Sequence, residues 1–158
     1  MTHLTDSIVQ FFQEQGFVIV STLDAQGQIH CSAKGIASIE EDGHVHLIDL
    51  YRSHTFHNLQ NNPTASITAV DEHRFVGYTL QGKARIVERD KIEDDHLKKW
   101  EQKVIARISK RVIKNIQKQK KEGHHPEAHF AEPQYLIVLD VEKVIDLTPA
   151  HLRKPPRD

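Results

Sequence analysis

The stretch LYRSHTFHNLQNNP, Leu50 to Pro63, decides how this chain is read. The preceding VHLIDL alternates apolar and polar residues as a strand does, whereas Phe56 and Leu59 sit three apart, as the inward residues of a short helix do. Ser53 is a natural N-cap for that helix. A helix start carrying Ser53, His54 and Thr55 directly after Arg52 gathers backbone N–H groups, hydroxyls and positive charge at one point. That is the chemistry of a phosphate site. Taken alone, the feature is first an ordinary capped helix and only second a ligand site.

Working outward from this corner, the hydrophobic period changes several times. Leu4, Ile8, Phe11 and Phe12 recur at helical spacing, with Thr5 as N-cap and Gly16 as a stop signal. FVIVSTL, IHCSAKGIASIE and HVHLIDL are then three strands separated by DAQGQ and EDG turns. TASITAV and FVGYTLQGKARIVE add two more, Gly77 and Gly82 permitting bending or close approach of another group. Five strands joined by tight turns predict a small barrel. Leu97, Trp100, Val104, Ile108, Val112 and Ile116 form the apolar stripe of the longest helix, and YLIVLDVEKVIDL supplies a last strand or pair. The resulting plan is a single, mainly β domain, a β-barrel with helices: an N-terminal helix in 1–16, barrel strands in 17–89, a long helix in 90–122, closing strands in 134–147 and an extended tail in 148–158.

The totals narrow the function classes. Twenty-one Lys and Arg against 22 Asp and Glu leave almost no net charge, so a polyelectrolyte built for nucleic acid is not expected. Ten Lys and Arg between Lys98 and Lys121 are read as the solvated faces of the long helix. With one cysteine, Cys31, no intramolecular disulfide can form, and its strand position suggests a small buried thiol. No apolar run is long enough for a bilayer span or a signal peptide, so a cytoplasmic protein is expected. The twelve histidines show no familiar ligand spacing. His44, His46, His54 and His57 are read as surface polar residues, Pro126 interrupts the His124, His125 and His129 cluster, and no metal site is expected.

The order of STLDAQGQIHCSAKG, RSHTFHNLQNNPTASIT and GYTLQGKARIVE resembles the pyridoxamine 5′-phosphate oxidase-like proteins, the FMN-binding split-barrel family. The resemblance covers about Phe17 to Glu88, and PQYLIVLDVEKVIDL is similar to the family's last strands. It implies a split β-barrel of the FMN-binding type. It also implies a homodimer with cofactor sites at the interface and an oxidoreductase acting through flavin N5 on a small-molecule substrate or electron donor. The phosphate would lie at Arg52, Ser53, His54 and Thr55, with Asn58 one turn on. The ring would run along Ser32, Ala33, Lys34 and Gly35, with Ile48 and Asp49 beside it and Gly77 as a further cofactor contact. The family commonly carries Lys or Arg at the position of His54 or Thr55. This chain has neither there, so Arg52 or a protonated His54 would supply the charge, and Asp49 near a phosphate calls for pairing with Arg52 or Lys34. No catalytic acid or base is assigned.

Three alternatives stay open. A related split-barrel group binds or degrades haem, for which His124, His125 or His129 would be candidate ligands. A deazaflavin would replace FMN without changing the fold. A cofactor-free binding or stress-associated module would use the basic helix against an acidic partner.

Overall fold

The computed structural model describes residues 2–117 and 132–155, with the backbone alone for 107–117. The His124, His125 and His129 cluster lies outside the described residues, as do the side chains of Ile108, Val112 and Ile116.

Six strands, β1 (Val18–Leu23), β2 (Ile29–Ile39), β3 (His44–Asp49), β4 (Thr64–Asp71), β5 (Val76–Glu88) and β6 (Tyr135–Asp146), close into a barrel in the order β1-β2-β3-β6-β5-β4. Every neighbouring pair is antiparallel. Closure removes the free edges that an open sheet of this length would expose. The last apolar segment is one strand, not a pair, and it closes the barrel by pairing with both β3 and β5. Among the described residues, three α-helices accompany the barrel: α1 (Asp6–Gln13), α2 (His54–Asn61) and α3 (Asp94–Gln117).

Two apolar cores explain the strand patterns. Val18, Val20, Val45, Leu47, Ile67, Leu80, Ile137 and Leu139 fill the barrel. Leu4 and Phe11 to Phe12 close it where Tyr78 pairs with Asp146, the Phe11 and Tyr78 rings meeting edge to face at 5.2 Å. Phe56 and Leu59 of α2 close the end where β6 begins, Phe56 lying 5.0 Å from Tyr135. The second core is outside the barrel, where Leu97 and Trp100 of α3 cover Ala37, Ile48, Ile92, Leu136 and Val138. Residues 135 to 139 are therefore buried on both strand faces, which is why they read as a continuous apolar run instead of an alternation.

Two expectations change. Cys31 is exposed, because it faces outward on β2 opposite Ser21, whose Oγ lies 3.4 Å from its Sγ. The tail is not simply extended: residues Ala150–Leu152 form a 3₁₀ turn, and Arg153 Nε donates to the Thr148 carbonyl at 2.8 Å.

Gly82 leaves no room for a side chain against β6. The β5–β6 register shifts between Gln81 and Gly82, leaving Glu142 as the extra residue of a bulge. A Cβ on Gly82 would lie 1.9 Å from the Asp140 carbonyl oxygen, a backbone atom that cannot swing away. Gly82→Ala is expected to lower stability by roughly 3 kcal/mol in urea unfolding. Gly16→Ala, which meets nothing within 4 Å, is expected to stay within about 0.5 kcal/mol of wild type.

Candidate cofactor site

Gly35 on β2 pairs with Ile48 on β3, which brings Lys34, midway along β2, beside Asp49 at the end of β3. Lys34 Nζ lies 2.7 Å from Asp49 Oδ2, with side-chain exposures of 10% and 3%. The same oxygen accepts a 2.5 Å hydrogen bond from the Tyr135 hydroxyl, while Asp49 Oδ1 accepts from the Leu50 N–H at 2.8 Å. Burial in first place, and then the bond to Asp49, hold the Tyr135 phenol well above its ordinary pKa, so it stays a donor. A carboxylate removed from water needs each oxygen satisfied, and here both are.

Arg52 leads into α2 and turns toward β5. Its Nη1 and Nη2 donate to Glu88 Oε1 at 3.1 Å and Oε2 at 2.6 Å, and Nη2 also reaches the Gln134 carbonyl at 3.2 Å. Its guanidinium sits over the Phe56 ring, 4.9 Å from the centroid. Ser53 occupies the N-cap position of α2 but makes no side-chain cap bond. The first bond of the helix comes from the His57 N–H to the Ser53 carbonyl at 3.1 Å, so the amides of His54, Thr55 and Phe56 precede the intrahelical ladder. Thr55 is buried with its hydroxyl 2.8 Å from that of Ser32, and Asn58 Nδ2 donates to Thr22 Oγ1 at 3.0 Å. These two contacts fasten α2 to β1 and β2. His54 is exposed and stacks on His30 at 5.0 Å.

Ala33, Lys34, Gly35, Ile48 and Asp49 line one cleft of about 140 Å³, together with Phe17, Leu50, Tyr51 and Trp100. Larger grooves occur elsewhere, including one of about 420 Å³ beside α1 and Arg74. The 140 Å³ cleft is lined by the buried Lys34–Asp49 pair, and its Leu50 and Tyr51 directly precede Arg52 in the chain. Gly77 is not brought here. It lies near the turn of the β4–β5 hairpin, paired with Val70 and packed where a Cβ would meet Ala69 and Val70.

Four contributors were missed by sequence reading. Tyr135 hides in an apolar run, its only signal being one hydroxyl in YLIVL. Phe17 opens the predicted strand FVIVSTL, Tyr51 lies between a predicted strand and helix, and Trp100, read as packing, both packs and faces Gly35, its Nε1 4.0 Å from the position of a Cβ there.

The profile of the family described as pyridoxamine 5′-phosphate oxidase matches residues 4–147. The chain belongs to this family. No curated protein matches the chain. Among solved structures, HupZ of Group A Streptococcus is similar with a TM-score of 0.66 and 20% identity, covering 92% of this chain and 94% of that one. HutZ of Vibrio cholerae, a heme storage protein, gives 0.53 and 20%, covering 91% and 94%. A pyridoxamine 5′-phosphate oxidase-related, FMN-binding protein of Nostoc punctiforme gives 0.55 and 12%, covering 89% and 82%. The split-barrel fold of the family is thus the fold of this chain, and at these identities the structural likeness speaks of fold alone.

The Lys34, Asp49 and Tyr135 triad yields a direct test. Asp49→Ala strands a buried ammonium and a buried hydroxyl, and is expected to cost about 3–5 kcal/mol in urea unfolding at pH 7. The double variant Lys34→Met with Asp49→Leu is expected to lose much less, because both charges leave together.

Proposed function

We propose that the chain is an FMN-binding flavoprotein oxidoreductase, with the cleft between β2 and β3 holding the ring and the start of α2 holding the phosphate. The observation that carries this reading is the convergence of Ala33, Lys34, Gly35, Ile48 and Asp49 on one cleft beside a helix start whose N-cap side chain is unspent. When bound, FMN supplies hydride transfer at N5, and the substrate or electron donor is a small molecule.

The residues present fit such a group. Ser53 Oγ and the amides opening α2 would meet the phosphate, and the helix dipole favours an anion there. Arg52, held by Glu88, lies one residue before the N-cap and can exchange an exposed carboxylate for a phosphate of the same geometry. Lys34 would present its donors along the ring edge while Asp49 keeps its charge compensated, so the carboxylate does not repel the phosphate. Trp100, Tyr51 and Phe17 would shield the ring from water. Thr55 and Asn58 act one step back, fixing α2 against β1 and β2.

The cleft of about 140 Å³ is smaller than the roughly 300 Å³ from which sites of this kind begin. One chain therefore supplies half a site, and a second copy would supply the rest in a homodimer. Phe17 and Tyr51 are 49% and 56% exposed at the rim of the cleft, and Ile19, two residues after Phe17, is 43% exposed. Such an apolar rim is what an interface between copies would cover. No described helix is long and apolar enough to cross a membrane. A cytoplasmic location, where flavins and their reductants meet, completes the reading.

The decisive measurement is the visible spectrum of purified protein with FMN or haemin added to separate apo samples. A retained flavin spectrum bleached by dithionite is expected, and Ser53→Ala with Thr55→Ala is expected to weaken retention at least tenfold. A retained deazaflavin in place of FMN would move the cofactor assignment, and a Soret band without flavin would replace this reading with the haem one. Retention of neither would leave a cofactor-free binding module. Phe17→Asp is expected to convert dimer to monomer in sedimentation velocity and to lose flavin in parallel; a monomeric wild type that retains FMN would remove the shared-site proposal.

A further inference from the structure

A second cluster lies on the outer face of the barrel, where α3 begins. His46 of β3 and His96 of α3 stack with ring centroids 4.2 Å apart and planes at 24°. Glu40, just after β2, places Oε1 3.9 Å from His46 Nδ1. One ligand atom from each of Glu40, His46 and His96 lies within 4.8 Å of the other two. Ser38 Oγ is 3.0 Å from the same His46 nitrogen, Nδ1, and holds the ring in place. His96 Nδ1 is buried and has no hydrogen-bond partner among the described residues. A buried ring nitrogen left without a partner costs stability, so something else has to explain its place.

We propose that Glu40, His46 and His96 form a binding site for a borderline divalent transition-metal ion of the Zn²⁺ class. Two imidazoles and one carboxylate are a donor set such ions favour, and nitrogen donors disfavour Mg²⁺ and Ca²⁺. Bonds of about 2.0–2.1 Å at tetrahedral angles put donors roughly 3.3 Å apart, so the cluster has to contract on binding. The Glu40 side chain, 51% exposed, and His96, in the first turn of α3, are placed to make that movement. With three protein ligands the fourth position belongs to water.

Residues 40, 46 and 96 follow no metal-ligand spacing, and only the docking of α3 on β3 assembles them. The site is separate from the cofactor reading and stands or falls without it.

The test uses the full chain, dialysed against chelator and titrated with Zn²⁺ alone, then Co²⁺, in isothermal calorimetry and visible absorption. His124→Ala, His125→Ala and His129→Ala are combined as background so that those histidines do not compete. One equivalent of Zn²⁺ is expected, with tetrahedral Co²⁺ bands and a raised melting temperature. His96→Ala is expected to weaken binding at least a hundredfold, and Glu40→Gln at least tenfold. The exposed His73→Ala is expected to change nothing. Circular dichroism monitors folding, and Glu40→Gln keeps the test valid should the histidine variants fail to fold, since Glu40 is a surface residue. Absence of saturable Zn²⁺ binding, or wild-type affinity in folded His96→Ala or Glu40→Gln, would overturn the site.

Discussion

The Asp49 carboxylate is the constraint on which the rest of this end of the molecule depends. It is almost fully buried at the last position of β3, and it is tolerable there only because three donors from β2, β6 and its own chain converge on it. Each donor fixes a different element. Lys34 ties the middle of β2 to the end of β3, and the Leu50 amide sets how the chain leaves toward α2. Tyr135 ties the first residue of β6 to both, and its ring supports Phe56 of α2. A buried charge of this kind contributes less to net stability than to uniqueness of arrangement. Here the arrangement it fixes is the wall of the cleft and the entry to the helix beside it.

That division of labour continues outward. Arg52 lies over Phe56 and Tyr135 but remains at the surface, paired with an exposed glutamate. An exposed pair of this kind is weak, typically below about 1 kcal/mol, so a competing anion can replace it at little cost. Lys34 cannot be redirected in the same way, because moving it would uncover Asp49. The two cations nearest the cleft therefore differ in kind: Lys34 is structural and fixed, whereas Arg52 is exchangeable. The distinction follows from burial, and position in the sequence would not reveal it.

The strands, turns and α2 were legible because their signals are local: period-two alternation, Asp-Ala-Gln-Gly and Glu-Asp-Gly turns, and Phe56 with Leu59. At Gly82, where bending or close approach was expected, the structure shows close approach of the Asp140 carbonyl. What was not legible depends on contacts made across long stretches of chain. Tyr135 meets Asp49 across 86 positions, and nothing beside either residue announces the other. Cys31 was read as buried from residue type, yet strand alternation turned it outward with Ser21. Gly77 and Gly82 looked equivalent in sequence, but only the register of β4 and β5 shows that Gly77 lies by the distant hairpin turn. His46 looked like a surface residue because the helix that covers it begins almost fifty residues later.

That helix links the two regions of interest. His96, Trp100 and Lys103 fall on one face of α3 at spacings of four and three, so a single docking pose places all three. His96 meets His46, Trp100 faces Gly35 in the cleft, and Lys103 Nζ donates to the Ile36 carbonyl at 2.8 Å. The apolar packing of Leu97 and Trp100 on Ala37, Ile48, Leu136 and Val138 supplies the attraction, while the polar contacts on either side fix rotation and register. Rotating α3 to improve one contact would displace the others. The wall that Trp100 gives the cleft is consequently held from one turn away by whatever holds His96. A cleft formed by strands whose hydrogen bonds fix them thus borrows its most adjustable wall from a helix that has only side chains to fix it.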